Sequence, residues 1–276
     1  GRPQSSSGTP SIMTKPAIVI IQARSSSSRL PNKVLKPLAG LPMIWHIVQR
    51  ARSCQNVGRV VVATSIEPSD DALAKFCEET DIECYRGSLS NVLSRYMEVL
   101  KKHEYRYFVR VTGDCPLIHP PFIDRQIEAL LMYDADLILN DGSSTLLEGQ
   151  GAFSTRSLLE VSQASNHPDD LEHVGARYYT ERHEDFRTIR LQLPPCLQDT
   201  RWRLTVDEAD DYHMLAALYE ALYEGEPIPL KDAVAYLESH PEVATLNQSV
   251  KHSVINQELA SLRSVQLPQV DVTLSW

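Results

Sequence analysis

The stretch from Ala17 to Lys33, AIVIIQARSSSSRLPNK, decides the fold. Its first six residues are mostly apolar and β-branched and lack the alternation of a half-exposed strand, which is typical of a strand buried on both faces of a parallel sheet. A loop that contains two arginines, one lysine and four consecutive serines follows at once. Ligands of open α/β sheets bind beyond the carboxyl ends of the strands, so this loop is the first candidate for a binding site.

Strand-like and helix-like segments alternate along the chain as far as residue 139. Apolar residues at helical spacing predict helices, and short β-branched runs predict buried strands. The predicted strands are Ala17–Gln22, Val60–Ala63, Ile82–Tyr85, Tyr107–Val111 and Leu137–Leu139, and the predicted helices are Met43–Ala51, Asp70–Glu79, Val92–His103 and Ile123–Tyr133, with Asp70 able to cap its helix. This βαβ rhythm predicts an α/β domain with a mostly parallel central sheet and helices on both faces.

The pattern loosens after Asn140. Residues 142–153 include three glycines and several hydroxyl side chains, which favours an irregular segment. Further helices are predicted over Thr155–Ser165, Asp170–His183, Val206 to about Glu224 and Leu230–His240, and further strands over Phe186–Leu193 and Trp202–Val206. We expect one domain over residues 15–247 with a small insertion over 142–195, a disordered leader or cloning remnant over 1–14, and a C-terminal tail over 248–276.

The composition is that of an ordinary globular chain and argues against some classes of function. The 276 residues carry a formal net charge of -9, which is not expected of a protein that coats nucleic acid. The five cysteines form no CxxC pair, and a scattered, odd number is typical of reduced thiols. No apolar run approaches the roughly 20 residues of a membrane-spanning helix, and no signal-peptide pattern is present. We therefore expect a cytoplasmic protein that binds neither nucleic acid nor membrane.

The loop after the first predicted strand combines cations with hydroxyl groups. Arg24, Arg29 and Lys33 accompany the four serines within twelve residues. Backbone amides and hydroxyls in such a loop can donate to phosphate oxygens, while the cations neutralise them. A flexible, solvated loop is the alternative interpretation. The GxxxxGK[ST] motif of a P-loop is absent.

Two carboxylates follow other predicted strands. Asp114 lies in the segment TGDCPL after Tyr107–Val111, and Asp207 follows Trp202–Val206. Oxygen ligands at strand ends suit a Mg²⁺ that bridges a triphosphate. Taken alone, the first segment is also an ordinary turn, and Asp207 is better explained as the N-cap of the next helix. Together with the serine-rich loop, however, the two carboxylates predict metal-assisted phosphoryl chemistry.

Longer motifs resemble a known family in the same order along the chain. Ile20–Ile44 (IIQARSSSSRLPNKVLKPLAGLPMI) is similar to the opening signature of the CTP-dependent cytidylyltransferases that make CMP-sugars. The branch it most resembles is the spore-coat-polysaccharide type, related to the CMP-KDO and acylneuraminate synthetases. Val109–Ile118 (VRVTGDCPLI) and Arg201–Asp211 (RWRLTVDEADD) resemble the two metal motifs of that family, and the resemblance covers roughly residues 17–247. Shorter matches are Val60–Ser65, Tyr85–Ser88, Val92–Tyr96 and Glu172–Val174.

The resemblance implies a Rossmann-like, GT-A-like nucleotidyltransferase fold and a homodimer, with residues 142–195 serving the acceptor side and dimerisation. It implies transfer of CMP from CTP to an acidic sugar or another small anionic acceptor, with Mg²⁺ as cofactor and pyrophosphate as product. The implied catalytic residues are Arg24, Arg29 and Lys33 on the triphosphate and Asp114 and Asp207 on the metal. The implied nucleotide-binding residues are Gln22, Ala23, Arg24, Ser27, Ser28, Arg29, Lys33, Thr64, Ser65, Arg86, Ser88 and Asp114.

The chain departs from the family pattern mainly on the acceptor side. Relatives have DGLDVEVF where this chain has only EGQGAF at Glu148–Phe153, and Leu171 replaces an arginine. In the nucleotide half, Ser26 and Asn32 replace glycines, and Asn91 replaces an aspartate. We therefore expect the nucleotide half to be retained and the acceptor half to be altered. Two other functions stay open: a GT-A-type transferase that uses a nucleotide sugar, and a non-catalytic nucleotide-binding module.

Overall fold

The computed structural model describes residues 14–250, 269–270 and 272–276. Residues 1–13 of the expected leader over 1–14 and most of the expected tail over 248–276 lie outside the described residues. The strands are β1 (Ala17–Gln22), β2 (Pro37–Leu38), β3 (Leu41–Pro42), β4 (Val57–Ser65), β5 (Cys84–Gly87), β6 (Tyr107–Thr112), β7 (Leu137–Asp141), β8 (Gln150–Ser154), β9 (Thr188–Gln192) and β10 (Gln269–Val270). The α-helices are α1 (Met43–Arg52), α2 (Asp71–Glu79), α3 (Val92–Lys102), α4 (Pro120–Tyr133), α5 (Thr155–Ala164), α6 (Pro168–Glu172), α7 (Ala176–Glu181), α8 (Ala209–Leu222), α9 (Leu230–Ser239) and α10 (Pro241–Ala244). No helix in these parts of the chain is long and apolar enough to cross a membrane.

The central sheet has five strands in the order β5-β4-β1-β6-β8. The first four are parallel, and β8 is antiparallel to β6 at one edge. The α/β class and the mostly parallel sheet expected from the sequence are therefore confirmed. A second sheet, β10-β9-β7, is parallel throughout, and β2 and β3 form a small antiparallel pair.

Strand β1 lies at the centre because both of its faces meet apolar layers. Val19 and Ile21 point into one core cluster, and Ile18 and Ile20 point into the other. All four side chains are fully buried. A strand covered on both faces has no polar alternation, so the run of apolar residues predicted it correctly. The carboxyl ends of β1, β4 and β6 consequently open at the same edge of the sheet.

Three predicted elements differ from the structure. The helix predicted over Asp170–His183 is broken into α6 and α7, where Val174 and Gly175 adopt φ of 53° and 77°. The strand predicted over Trp202–Val206 is not a strand, although these residues lead into the site described below. The segment predicted to be irregular over 142–153 holds β8, a strand of the central sheet. The predicted insertion over 142–195 therefore includes part of that sheet, and the domain boundaries stay a prediction.

The described part of the C-terminal tail packs on the domain. Strand β10 pairs with β9, and the side chains of Val270 and Leu274 are buried in the core. The ring Nε2 of His119, the residue before α4, lies 3.1 Å from the carbonyl oxygen of Ser275. Burial lowers the pKa of His119 to about 4, so the ring is neutral and donates from Nε2.

Candidate active site

A buried carboxylate holds the serine-rich loop that follows β1. The Oδ1 of Asp70 accepts a hydrogen bond from the Ser25 amide at 2.7 Å, and its Oδ2 accepts from the amide of Ser65 at 3.3 Å and from the Ser65 hydroxyl. Asp70 is completely buried. The predicted side-chain cap of α2 by Asp70 is wrong, because its carboxylate makes no cap hydrogen bond. Asp70 instead ties the loop after β1 to the end of β4, a role that the sequence reasoning missed.

The backbone conformation of this loop is compatible with Asn32 and Ser26, the two residues that replace glycines of the family pattern. Asn32 adopts φ of 58°, and its amide donates to the carbonyl of Ser25 at 2.9 Å, which closes the loop. Asparagine tolerates the left-handed region, as expected for this replacement. Ser26 is not among the described residues with positive φ, so its backbone conformation does not require glycine.

The side chain of Lys33 lies close to both predicted metal ligands, Asp114 and Asp207. Its Nζ donates to the carbonyl of Val206 at 3.0 Å and lies 3.3 Å from Asp207 Oδ1 and 3.8 Å from Asp114 Oδ2. Arg29 lies at the rim, with Nη2 3.9 Å from Asp207 and Nη1 3.4 Å from Glu208. The structure therefore brings together four of the five predicted catalytic residues. The fifth, Arg24, is exposed and forms no ion pair with a described residue.

Backbone contacts explain why the two carboxylates meet. The amide of Val206 donates to the carbonyl of Asp114 at 2.8 Å, which joins the end of β6 to the segment before α8. The amide of Gly113 donates to the carbonyl of Gln22 at 2.8 Å. A Cβ at position 113 would lie 2.9 Å from both Ala23 Cβ and Gln22 O, so only glycine lets the two strand ends approach this closely.

The two carboxylates differ in their electrostatic environment. Burial raises the pKa of Asp114 and the nearby charge of Asp207 adds to this rise, while Lys33 opposes it. Burial also acts to raise the pKa of Asp207, but the charges of Lys33 and Arg203 outweigh it and lower that pKa. The pair accordingly concentrates negative charge that a cation or a cationic side chain must balance.

Asp207 is not the N-cap of the following helix. Glu208 occupies the cap position of α8, and its amide donates to Asp211 Oδ2 at 3.0 Å. The carboxylate of Asp207 is paired with Lys33 and with the buried guanidinium of Arg203. Arg203 in turn donates from Nε to Asp211 at 3.0 Å, and although burial opposes its charge, the two aspartates raise its pKa. The capping interpretation is therefore wrong, and Asp207 faces the site.

Four of the residues predicted near the nucleoside, Thr64, Ser65, Arg86 and Ser88, are buried or form hydrogen bonds within the loops that follow β4 and β5. Thr64 and Ser65 are fully buried. Arg86 donates to the carbonyl of Ser65 at 2.8 Å and to Asp71 at 2.7 Å, so it holds the loop after β4 and is not in contact with Lys33 or the two aspartates. The hydroxyl of Ser88 accepts from the amide of Asn91 at 3.0 Å, which orders the entry to α3.

The remaining predicted residues line the serine-rich loop itself. Ala23 is buried, and its amide donates to the carbonyl of Ala63 at 3.2 Å. Ser27 accepts from the amide of Leu30 at 3.3 Å through its hydroxyl, and Ser28 is exposed. The carboxamide oxygen of Gln22 accepts from the Tyr96 hydroxyl at 3.1 Å.

The segment predicted to face the acceptor lies directly against the end of β6. Gly149 has φ of 69°, its carbonyl accepts from the Thr112 amide at 3.1 Å, and a Cβ there would lie 2.2 Å from Thr112 Oγ1. The Thr205 hydroxyl donates to Glu148 Oε2 at 3.1 Å. Cys115 lies beside these groups, and burial raises the pKa of its thiol, so it is a neutral thiol and not a nucleophile. Glu148 is therefore held at Thr205, two residues before Asp207 in the chain.

The other two acceptor-side residues do not enter this cluster. Leu171, which replaces an arginine of the family pattern, packs against the apolar cluster between α3 and the sheet. The side chain of His173 is 38% exposed, with Nε2 3.8 Å from Glu172. Neither residue contacts Asp114, Asp207 or Lys33.

The family of the chain is established by comparison with known sequences. The chain belongs to the cytidylyltransferase family, whose model matches residues 18–193. That range contains the serine-rich loop, the ends of β4 and β6, and Glu148. The family model and the relatives below identify the chain as a CTP-dependent cytidylyltransferase, as the sequence motifs indicated.

Two curated relatives show how far the similarity extends. The spore coat polysaccharide biosynthesis protein SpsF of Bacillus subtilis (strain 168) is 28% identical over 232 residues, which are 83% of this chain and 96% of that protein. The 3-deoxy-manno-octulosonate cytidylyltransferase of Aeromonas salmonicida (strain A449) is 38% identical over 115 residues, which are 40% of this chain and 44% of that enzyme.

Solved structures confirm the nucleotidyltransferase fold. A cytidylyltransferase from Leptospira borgpetersenii serovar Hardjo-bovis (strain JB197) superposes with a TM-score of 0.76 at 24% identity and covers 87% of this chain and 100% of its own. CMP:2-keto-3-deoxy-manno-octonic acid synthetase complexed with CTP superposes with a TM-score of 0.54 at 20% identity, covering 73% of this chain and 97% of its own.

Proposed function

We propose that this enzyme transfers CMP from CTP to an acidic sugar or another small anionic acceptor, depends on Mg²⁺ and releases pyrophosphate. The observation that carries the proposal is the contact of Lys33 with both Asp114 and Asp207, beside the serine-rich loop and at the carboxyl ends of β1 and β6. Family membership supports the nucleotide, and relatives named as octulosonate cytidylyltransferases support the acidic sugar.

The triphosphate is assigned to the three cations of the loop. Lys33 is held in place, with its side chain only 14% exposed, whereas Arg29 is 55% exposed and weakly paired. Arg24 is exposed and has no ion pair among the described residues, so it can turn to a ligand without breaking an ion pair. Three cations in one loop, each able to make charge-assisted hydrogen bonds, suit the charge of a nucleoside triphosphate.

The residues present fit a Mg²⁺ ion bound together with the nucleotide. Within residues 14–250, 269–270 and 272–276, no group of three or more His, Cys, Asp or Glu side chains forms a complete cage for a metal. Mg²⁺ is usually bound by one or two carboxylates plus substrate phosphates and water, so Asp114 and Asp207 are a sufficient pair of protein ligands. When bound, the ion would neutralise phosphate charge as a Lewis acid.

The chemistry requires no covalent protein intermediate. A hydroxyl oxygen of the acceptor attacks the α-phosphorus in line, the bond from that phosphorus to the bridging oxygen of pyrophosphate breaks, and the hydroxyl proton leaves to solvent. Lys33 and Arg29 offset the charge that develops on the departing pyrophosphate. The loop fixed by Asp70 holds the triphosphate in one orientation, which favours in-line attack.

We also propose that the enzyme is a homodimer, on the strength of the family resemblance. Light scattering on the purified protein tests this independently of activity, with a mass near twice the 31.1 kDa of the chain as the expected result. A monomer at working concentration would contradict the dimer and leave the nucleotide proposal in place.

Pyrophosphate release tests the function. The purified enzyme is supplied with Mg²⁺, a panel of acidic sugars, and CTP, UTP, ATP or GTP in turn, with Asp114→Asn as the inactive control. We expect release only with CTP and an acidic acceptor. Release with a different triphosphate would reassign the nucleotide. Turnover of a nucleotide sugar would favour a glycosyltransferase, and tight CTP binding without release from any acceptor would favour a non-catalytic module.

A further inference from the structure

Lys33 is the counter-ion of the two carboxylates that are proposed to hold the metal. Its Nζ lies 3.3 Å from Asp207 Oδ1 and 3.8 Å from Asp114 Oδ2, and it donates to the carbonyl of Val206 at 3.0 Å. An ammonium group and a divalent cation repel each other strongly at such short range. The carboxylate pair therefore cannot hold both of them tightly at once.

The other oxygen of each carboxylate already has a different partner. Asp207 Oδ2 accepts a hydrogen bond from the buried guanidinium of Arg203, and Asp114 Oδ1 accepts one from the Cys115 thiol at 3.4 Å. The oxygens left for a metal are Asp207 Oδ1 and Asp114 Oδ2, which are the two that face Lys33. A Mg²⁺ ion that bridges them at about 2.0–2.1 Å competes directly with the ammonium group.

The two carboxylates do not depend on Lys33 equally. Asp207 also has the guanidinium of Arg203, whose side chain is only 6% exposed, as a second counter-ion. Asp114 forms no ion pair other than the one with Lys33 in the part of the chain that the structure describes, and its side chain is only 23% exposed. If the ammonium moves away, Asp114 becomes a largely buried charge without a partner, and another cation has to replace Lys33.

The backbone of Lys33 is fixed, whereas its side chain can turn. Lys33 begins a short 3₁₀ turn directly after Asn32, whose left-handed backbone is held by the bond from its amide to the Ser25 carbonyl. The next side chain, Val34, is buried. The four-carbon stem of lysine is flexible, so the ammonium can turn from the carboxylates towards the serine-rich loop without movement of the backbone.

We infer that Lys33 and a divalent cation compete for Asp114 and Asp207, and that the triphosphate ends the competition by binding the ammonium group. The inference rests on the proposed function and adds an order of binding to it: the metal enters with the nucleotide and not before it. Lys33 neutralises the carboxylates when no phosphate is bound, and it neutralises phosphate when the carboxylates hold the metal.

Titration of Mn²⁺ in the absence of nucleotide tests the competition. Free Mn²⁺ gives an electron paramagnetic resonance signal that weakens when the ion binds to a protein, and Mn²⁺ prefers the same oxygen ligands as Mg²⁺. Lys33→Met should bind Mn²⁺ at least about tenfold more tightly than the wild type, because a contact between charged groups contributes about that factor or more. The gain should disappear in the double variant Lys33→Met/Asp114→Asn, which locates the ion at Asp114.

Lys36→Met is the matched control, because it removes an equal charge from the same segment. The Nζ of Lys36 lies 5.2 Å from the centroid of the Tyr212 ring, and Lys36 forms no ion pair with a described residue. The affinity of this variant for Mn²⁺ should stay within about twofold of the wild type, because solvent screens a charge that does not contact the carboxylates. Circular dichroism checks that each variant is folded, and Lys33→Gln takes the place of Lys33→Met if the latter is not.

Calorimetry with CTP and Mg²⁺ tests the movement of Lys33 to the phosphates. Lys33→Met should bind CTP at least about tenfold less tightly than the wild type. The inference is overturned if Lys33→Met binds Mn²⁺ no more tightly than the wild type, if Lys36→Met gains as much, or if the gain persists in the double variant. Unchanged CTP affinity in Lys33→Met would also overturn it. Failure of the wild type to bind CTP would instead refute the proposed function.

Discussion

The buried carboxylate under the serine-rich loop gives the sharpest prediction about stability and binding together. Asp70 accepts three hydrogen bonds, from the Ser25 amide and from the amide and hydroxyl of Ser65, and is completely buried. In Asp70→Asn one side-chain oxygen can still accept from Ser25. The new NH2 group of the asparagine carboxamide would face the backbone amide of Ser65, and two donors cannot form a hydrogen bond with each other. The Ser65 hydroxyl can turn and accept, but the backbone amide cannot.

The expected cost follows from these contacts. Losing one hydrogen bond to a charged acceptor costs about 1.5–3 kcal/mol, and changing a second from charged to neutral costs about 1 kcal/mol. The lower desolvation cost of a neutral amide offsets part of this, so the free energy of unfolding should fall by about 2–3 kcal/mol. The loop would also lose its fixed position, and CTP affinity should fall at least about tenfold.

Asp71→Asn is the control for this experiment. The side chain of Asp71 is 66% exposed and pairs with Arg86 at the surface, so its removal should cost less than about 1 kcal/mol. Urea denaturation gives the unfolding free energy, and calorimetry gives the CTP affinity. If Asp70→Asn matches Asp71→Asn in both measurements, Asp70 does not organise the loop, and the account of how the site is built is wrong.

Three further predictions concern the site itself. Arg29→Ala and Lys33→Ala should each weaken CTP binding by about 1.5–3 kcal/mol, with the larger loss for the less exposed Lys33, and calorimetric affinities unchanged in both variants would remove the loop from the site. Asp114→Asn should abolish pyrophosphate release with little change in melting temperature. Asp207→Asn should abolish release and also lower the melting temperature, because it removes a charge that faces the buried guanidinium of Arg203; an Asp207 variant that is less stable but still active would show that its role is structural. The chain lacks two carboxylates and one arginine of the family pattern on the acceptor side, so KDO and N-acetylneuraminate should be turned over poorly. A kcat/KM of about 10⁴ M⁻¹s⁻¹ or above with either acid would show that the acceptor side is not altered in function.

Features that depend on residues close together in the sequence were predicted correctly. The apolar run of β1 and the cations after it lie within seventeen residues, Ala17 to Lys33, and both were recognised from the sequence. Asn32 was expected to accept a left-handed backbone because its side chain tolerates one, and it does so. The meeting of Asp114 with Asp207 was inferred from strand ends and family motifs, and the structure supplies the backbone bond that causes it.

Contacts between distant segments were the ones that the sequence did not reveal. Asp70 resembles a helix cap because aspartate prefers that position, yet its partner Ser25 is 45 residues away. The break between α6 and α7 depends on positive φ at Val174, which a β-branched residue rarely adopts. Strand β8 contains Gly151 and directly follows Gly149, so the composition of this segment resembled a loop, and only pairing with β6 makes it a strand.

The effect of Mg²⁺ on CTP binding tests the central claim most directly. CTP is titrated calorimetrically into the wild type and Asp114→Asn, with Mg²⁺ and again with EDTA. If Asp114 holds the ion between protein and triphosphate, Mg²⁺ should tighten CTP binding to the wild type by at least about tenfold and have little effect on Asp114→Asn. Without the metal, Asp114→Asn should bind CTP at least as well as the wild type, because one negative charge facing the phosphates is gone. An equal effect of Mg²⁺ on both proteins would contradict the assignment of this carboxylate pair as the metal and nucleotide site.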